Sequence, residues 1–309
     1  MCSVYLHCGV NEIPGKSTTS STQWPFDGPL VLTISVPKGG DNKTWVAFNF
    51  ASILGLWGYD VAVVDSNAQH DLWSDVQLLA GKGLTPRFDV VLHDPLDADG
   101  NQTPLPDLAA QKNRQILIWD TSQYVQLRTS KWAWQHCHAM ILTVSPQISQ
   151  VRNYLQAIQL YNHMPGTRGP LIVLPCRAKT LNNSSVQRDF QQVLHFLEDQ
   201  GCKVPKIQGQ YFAPDQLIPE SELMALQHTR WIFDERDFAG STKRLSDVFI
   251  RKALLNMTWV RSELEVKFGF FPKPKFKPMS PDPSNRDQII SVLRGEYEDR
   301  RRDIPSAVV

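Results

Sequence analysis

The 309-residue chain is 42% hydrophobic and 20% charged with a net charge of +1, so it has the length and the apolar content for a buried core. That composition excludes disorder throughout, and no apolar run approaches the roughly 20 residues of a membrane-spanning helix. Cys2, Cys8, Cys137, Cys176 and Cys202 are odd in number, widely spaced and without a C-x-x-C pair, which excludes a disulfide framework and a structural zinc site. The first 30 residues also lack the basic start and apolar middle of a secretory signal. A cytoplasmic protein with reduced thiols is expected.

In chain order, residues 1–28 are rich in Ser, Thr, Pro and Gly without apolar period, and read as a flexible arm. From Pro29 short apolar runs alternate with amphipathic stretches. PLVLTISV (29–36) reads as a buried strand, and TWVAFNFASILGLWG (44–58) as a helix stopped by Gly58. Further strands are expected at 60–66, 88–93, 115–120, 139–145 and 170–175, with helices at 147–161 and 184–201. The strand runs are continuous rather than alternating, as burial on both faces requires. Strand and helix in regular order predict a doubly wound α/β fold: a mainly parallel sheet with helices on both faces.

The charge is unevenly placed. Residues 1–239 hold 18 Lys and Arg against 22 Asp and Glu, whereas residues 240–309 hold 14 against 9. A local basic excess on a near-neutral protein suggests a surface for a polyanion. Ser241 and Thr242 can cap a helix running to about Val260, with Lys243, Arg244, Arg251, Lys252 and Arg261 spread over one face. Residues 268–285 contain five prolines and read as a semi-rigid linker or a surface-hugging strap, followed by a helix from Asp287 to about Asp303. The expected division is an arm (1–28), an α/β domain that includes the basic helix (29–262), and a linker with a terminal helix (263–309).

The stretch VLTISVPKGGDNKTWVAFNF carries the most chemistry. A buried strand enters a glycine-containing loop that ends in Lys43-Thr44 at a helix start, the layout of a phosphate-binding loop. Glycine lets backbone N–H groups wrap phosphate oxygens, lysine neutralises their charge, and the threonine hydroxyl can reach Mg²⁺. The strict G-x-x-x-x-G-K-[ST] pattern is not met, because Asn42 precedes Lys43 and Pro37 stands where the first glycine belongs.

The order Lys38-Gly39-Gly40-Asp41-Asn42-Lys43-Thr44 resembles the deviant Walker A motif of the ParA/MinD family of ATPases, K-G-G-x-G-K-[ST]. Asp65-Ser66-Asn67-Ala68-Gln69 is similar to the family's second motif, D-x-D-P-Q, and Asp120-Thr121 to the end of its Walker B strand. The resemblance implies an ATP-binding loop from Gly39 to Trp45, with Lys43 on the β and γ phosphates and Thr44 and Asp120 serving Mg²⁺. Lys38 would reach across an ATP-dependent homodimer. Asp65 matches the motif's first aspartate, and Asn67 replaces the second, which positions the attacking water.

Asparagine can orient a water but cannot accept a proton, so slow, partner-stimulated ATP hydrolysis is expected. Asn42 replaces a glycine, and asparagine tolerates left-handed backbone better than most residues. The family's nonspecific DNA binding matches the basic helix. The implied role is partition or positioning of a plasmid, chromosome region or protein cargo on the nucleoid, with a ParB-like or adaptor partner. A nucleotide-dependent dimeric switch with little hydrolysis is the alternative. A MinD-like membrane role fits less well, because the final segment is rich in acids.

Overall fold

The computed structural model describes residues 28–36, 42–106, 108, 111–122, 127–144, 151–164, 169–178, 184–213, 216–219, 241–269, 271–285, 288–291 and 293–294. The elements are β1 (Leu30–Ser35), α1 (Lys43–Leu56), β2 (Val61–Asp65), α2 (Asp71–Ala80), β3 (Asp89–Leu92), β4 (Ile116–Asp120) and α3 (Arg128–His136). They continue through β5 (Ala139–Val144), α4 (Val151–His163), β6 (Leu171–Ala178), α5 (Ser184–Asp199), β7 (Lys206–Ile207), β8 (Gln210–Tyr211), β9 (Ile218–Pro219) and α6 (Ser241–Phe268).

Seven strands form one sheet in the order β3-β2-β4-β1-β5-β6-β9, and every pairing in it is parallel. The hairpin β7–β8 stands apart and is antiparallel. Right-handed crossovers send α1 and α2 to one face and α3, α4 and α5 to the other, because the chain moves in opposite directions from β1 and from β4. This is the doubly wound α/β architecture that the alternating runs predict. The central strands β1, β2, β4 and β5 are buried along their whole length, which is why their sequences are continuous rather than alternating. The edge strand β3 is the exception: Leu92 at its end is exposed.

Helix α1 is buried at all 14 positions, polar ones included. Two of its polar side chains bond back to the helix itself: Asn49 Nδ2 donates to the Trp45 carbonyl and Ser52 Oγ to the Phe48 carbonyl, each at 2.9 Å. The helix ends as the sequence predicts. Gly58 takes φ 87°, its N–H bonds the Gly55 carbonyl at 3.1 Å, and the Tyr59 N–H reaches back to the Leu54 carbonyl at 3.1 Å.

The basic helix differs from expectation in length. It continues past Val260 to Phe268, so the boundary expected after residue 262 falls inside α6. The proline-rich segment that follows is a strap. The backbone N–H groups of Lys275 and Phe276 donate to the Gly58 carbonyl at 3.0 and 2.9 Å, and that of Met279 to the Leu56 carbonyl at 2.7 Å. The Phe271 ring meets Tyr59 edge-on at 5.4 Å. Residues 1–27 and 295–309, which hold the expected arm and most of the expected terminal helix, lie outside the described residues.

Gly58 therefore joins helix, sheet and strap. A Cβ there would meet the Phe276 carbonyl oxygen at 2.2 Å in a left-handed backbone. Gly58→Ala is expected to lower stability by about 2 kcal/mol or more, read as a lower urea midpoint with an unchanged slope.

Candidate functional site

In open α/β sheets ligands bind outside the carboxyl ends of the strands, where the strand order reverses. Here that place is the carboxyl edge of β1, β2 and β4. Lys43 is the first residue of α1 and Asp120 the last of β4, and the two form an ion pair with both side chains buried. Parallel register sets Asp65 of β2 directly beside Asp120, so two buried carboxylates lie next to one buried ammonium. Asp65 receives backbone N–H bonds from Trp73 at 3.0 Å and Asn67 at 3.2 Å. Burial, followed by the neighbouring charge of Asp120, nevertheless pushes its carboxyl up to about 6.

The strand ends are stitched around this group. The Ser66 N–H and Oγ both donate to the Asp120 carbonyl, at 3.1 and 2.9 Å, and Trp119 Nε1 donates to Ser66 Oγ at 2.9 Å. Thr121 ties the other side, its Oγ1 donating to the Ile34 carbonyl at 3.0 Å. Trp119, buried in β4, thus anchors the loop after β2 as well as packing in the core. Trp134 packs in the core, with 1% of its surface exposed.

Asn42 stands immediately before α1 with φ 57° and ψ 21°, the left-handed conformation for which asparagine is suited. Its carbonyl accepts the Val46 N–H at 2.9 Å, starting the helix. Thr44 and Trp45 follow on the first turn, both buried. Lys38, Gly39, Gly40 and Asp41 lie outside the described residues. A hard cation with its water shell fits what is present: Asp120 Oδ2 is buried and has no hydrogen-bond partner among the described residues. Asn67 lies on the loop after β2, its Nδ2 donating to Asp71 Oδ2 at 3.4 Å.

No protein-family model matches the chain, and no curated protein matches it. Solved structures do. Over 77% of this chain and 99% of the other, it is similar to pNOB8 ParA bound to nonspecific DNA, at 16% identity and a TM-score of 0.52. It is similar to pNOB8 ParA at 14% identity and the same TM-score of 0.52, over 76% of this chain and 97% of that one. The chain has the ParA fold. A likeness of 16% identity and TM-score 0.47 to the MinD cell division protein of Aquifex aeolicus covers 74% of this chain and 96% of that one.

The basic residues of α6 are differently placed from one another. Lys243 and Arg244 lie in its first turn, and their side chains are outside the described residues. Arg251 is exposed and Lys252 half-buried. Arg261 is engaged: it bonds Glu265 at 2.9 Å and lies over the rings of Phe271 at 5.2 Å and Trp57 at 5.9 Å. Lys275 of the strap bonds Asp60 at 2.8 Å. Among the described residues no helix is long and apolar enough to cross a membrane, and Cys137, Cys176 and Cys202 are buried thiols.

The raised Asp65 group has a signed consequence. A carboxyl lifted from 3.8 to about 6 favours the folded state below the unfolded value, and this contribution is lost as pH rises through about 6. Asp65→Asn removes the titration. Between about pH 3.5 and 7.5 its stability relative to wild type is expected to rise by on the order of 2–3 kcal/mol, read from urea melts at both pH values. A difference independent of pH would show that Asp65 does not titrate in that window.

Proposed function

We propose that the chain is a ParA-like ATPase that binds ATP with Mg²⁺, dimerises on doing so, and binds DNA without sequence preference. The observation that carries the reading is the buried Lys43–Asp120 pair, which joins the head of α1 to the end of β4 at the carboxyl edge of the sheet. A lysine and an aspartate buried there have little structural reason to be ionic, since a buried pair contributes little net stability over an apolar one. They suit a site that must receive phosphate charge and a cation.

On this reading Lys43 binds the phosphates, the loop from Gly39 to Trp45 wraps them, and Thr44 and Asp120 hold Mg²⁺. Bound Mg²⁺ would neutralise charge on the phosphate oxygens as it develops. Lys38 serves the partner protomer's nucleotide, and Asp65 fixes the loop that presents Asn67. The basic positions Lys243, Arg244, Arg251 and Lys252 supply the DNA surface, and Arg261, held by Glu265 and two aromatic rings, drops out of the expected set; the fold is shared with a ParA whose structure was solved on nonspecific DNA. Cargo positioning on the nucleoid, with a ParB-like or adaptor protein releasing the dimer, completes the proposal. A second reading, an ATP-controlled dimeric switch with little turnover, is favoured by Asn67, which carries no proton acceptor.

Calorimetry and light scattering with a nonhydrolysable ATP analogue and Mg²⁺ test the core of the proposal. Wild type is expected to bind and double its mass, Thr44→Ala to lose the Mg²⁺ dependence, and Lys43→Ala to lose binding. Because Lys43→Ala leaves Asp120 buried and unpaired, at a cost of about 3–5 kcal/mol, its fold must be checked by circular dichroism. A monomer that evolves no heat with the analogue sinks the reading.

For DNA, about four contacts per protomer give a log–log salt slope near −7 for the dimer on a duplex. Arg251→Ala is expected to weaken binding to unrelated duplexes alike and to reduce that slope by about two, since both protomers lose a contact. An unchanged slope moves the surface elsewhere.

A further inference from the structure

A groove of about 400 Å³ lies between α3 and the segment that follows β3, lined by Gln102, Leu105, Arg128, Lys131, Trp132 and Gln135. Positions 128, 131, 132 and 135 recur at helical spacing and so share one face of α3. The other wall is folded back on itself: Leu96 and Gln102 form an antiparallel bridge, and Asp97 Oδ1 accepts the backbone N–H groups of Asp99 and Asn101 at 3.0 and 2.8 Å. Gln102 joins the two walls, its Oε1 accepting the Arg128 N–H at 2.6 Å. From the sheet side Thr33 of β1 fixes α3, its Oγ1 donating to the Ala133 carbonyl at 3.0 Å. The groove therefore exists before anything fills it, and a guest need not order its walls.

Charge narrows the choice of guest. Arg128 and Lys131 are exposed, and neither has an acidic partner among the described residues. No acid lines the groove among those residues. Two acids of the neighbouring segment are occupied elsewhere, Asp94 by His70 and Asp97 by its own turn. The aromatic wall narrows it further. Trp132 is half-buried, stacked on His136 at 4.3 Å and tilted by 46° against Trp119 at 5.0 Å, so its ring is already committed to aromatic neighbours and is a poor platform for a nucleobase. With the half-buried Leu105 it offers apolar contact to an aliphatic side chain instead. The amides of Gln102 and Gln135, one on each wall, suit the donors and acceptors of a peptide backbone. From Arg128 to Gln135 the helix rises about 10 Å, the reach of about three residues of extended chain.

We propose that this groove binds an acidic, extended segment of a partner protein, a carboxylate seated on Arg128 and Lys131 and an adjacent aliphatic side chain against Trp132 and Leu105. The arginine fork matches a carboxylate bidentately, and clustered cations are a recurring means of recognising acidic motifs. The groove is formed without nucleotide, so binding is measured on the chain alone, and failure of the ATPase reading leaves it standing.

The probe is a displayed library of random seven-residue peptides selected on the wild-type chain, followed by calorimetry of the most enriched peptide on wild type, Arg128→Glu, Lys131→Glu and Leu105→Asp. Both cations are exposed, and acids near the start of α3 suit its dipole, so the two charge reversals are expected to fold. The selected peptides are expected to be enriched in Asp or Glu beside Leu, Ile or Val. Each charge reversal is expected to weaken binding at least tenfold, and Leu105→Asp, on the facing wall, to do the same. An empty selection, peptides no more acidic than the library, or binding indifferent to Arg128→Glu and Lys131→Glu overturns the inference. So does displacement of the peptide by an equal concentration of inorganic phosphate or AMP, which would assign the groove to a small anion.

Discussion

Everything at the carboxyl edge of the sheet depends on bringing the Lys43 ammonium against the Asp120 carboxylate out of water. Desolvating two charges is costly, and the pair is tolerated only where geometry holds them together. That geometry is global. β1 must lie beside β4 in the register that sets Ile34 opposite Asp120, and α1 must begin where β1's loop returns to the sheet. The helix is anchored by burial on all sides rather than by an amphipathic face, with the strap closing its far end through Leu56 and Gly58. Displacement of α1 along its axis would leave Asp120 buried without its cation.

A second constraint follows from charge count. Asp65 and Asp120 are neighbours in register, and among the described residues one lysine, Lys43, is paired there, with Asp120. With both acids ionised the cluster is negative in a medium that penalises charge, which is why burial and the adjacent aspartate lift Asp65 towards neutral pH despite two backbone N–H bonds. Such a cluster is poised to gain a cation. Asp120 Oδ2, which has no hydrogen-bond partner among the described residues, points the same way, because a buried carboxylate oxygen left without a donor is rare in a purely structural setting.

What could be read from sequence is what local patterns determine. The continuous runs at 29–36 and 115–120 became β1 and β4 because burial on both faces removes alternation, and Gly58 ended α1 because only a left-handed residue completes that cap. The parallel sheet followed from strand and helix alternating in regular order. Three features were not legible. β9 is two residues long and owes its place to β6, not to its own pattern. The last two turns of α6 are drawn out past Val260 by packing of Leu264 and by the Arg261–Glu265 bond. The His70–Asp94 bond depends on how β2 and β3 end, across 24 residues of sequence, and no spacing rule announces it.

The basic C-terminal region shows why summed charge differs from available charge. The excess of 14 cations over 9 acids in residues 240–309 counts every lysine and arginine alike. Arg261 is held between Glu265 and two aromatic faces, where it fastens the strap to the end of α1, and Lys275 neutralises the partly buried Asp60 together with Arg114. Both use their charge within the fold. Even Arg251, exposed on α6, feels Asp282 of the strap, whose carboxyl is lowered mainly by Ser284 hydrogen bonds and further by that arginine. A strap that matches its acids and bases to the helix beneath it is a clamp first. A polyanion approaching α6 would therefore find Arg261 and Lys275 already engaged, while the exposed Lys267, Lys273 and Lys277 keep their charge at the surface beside them.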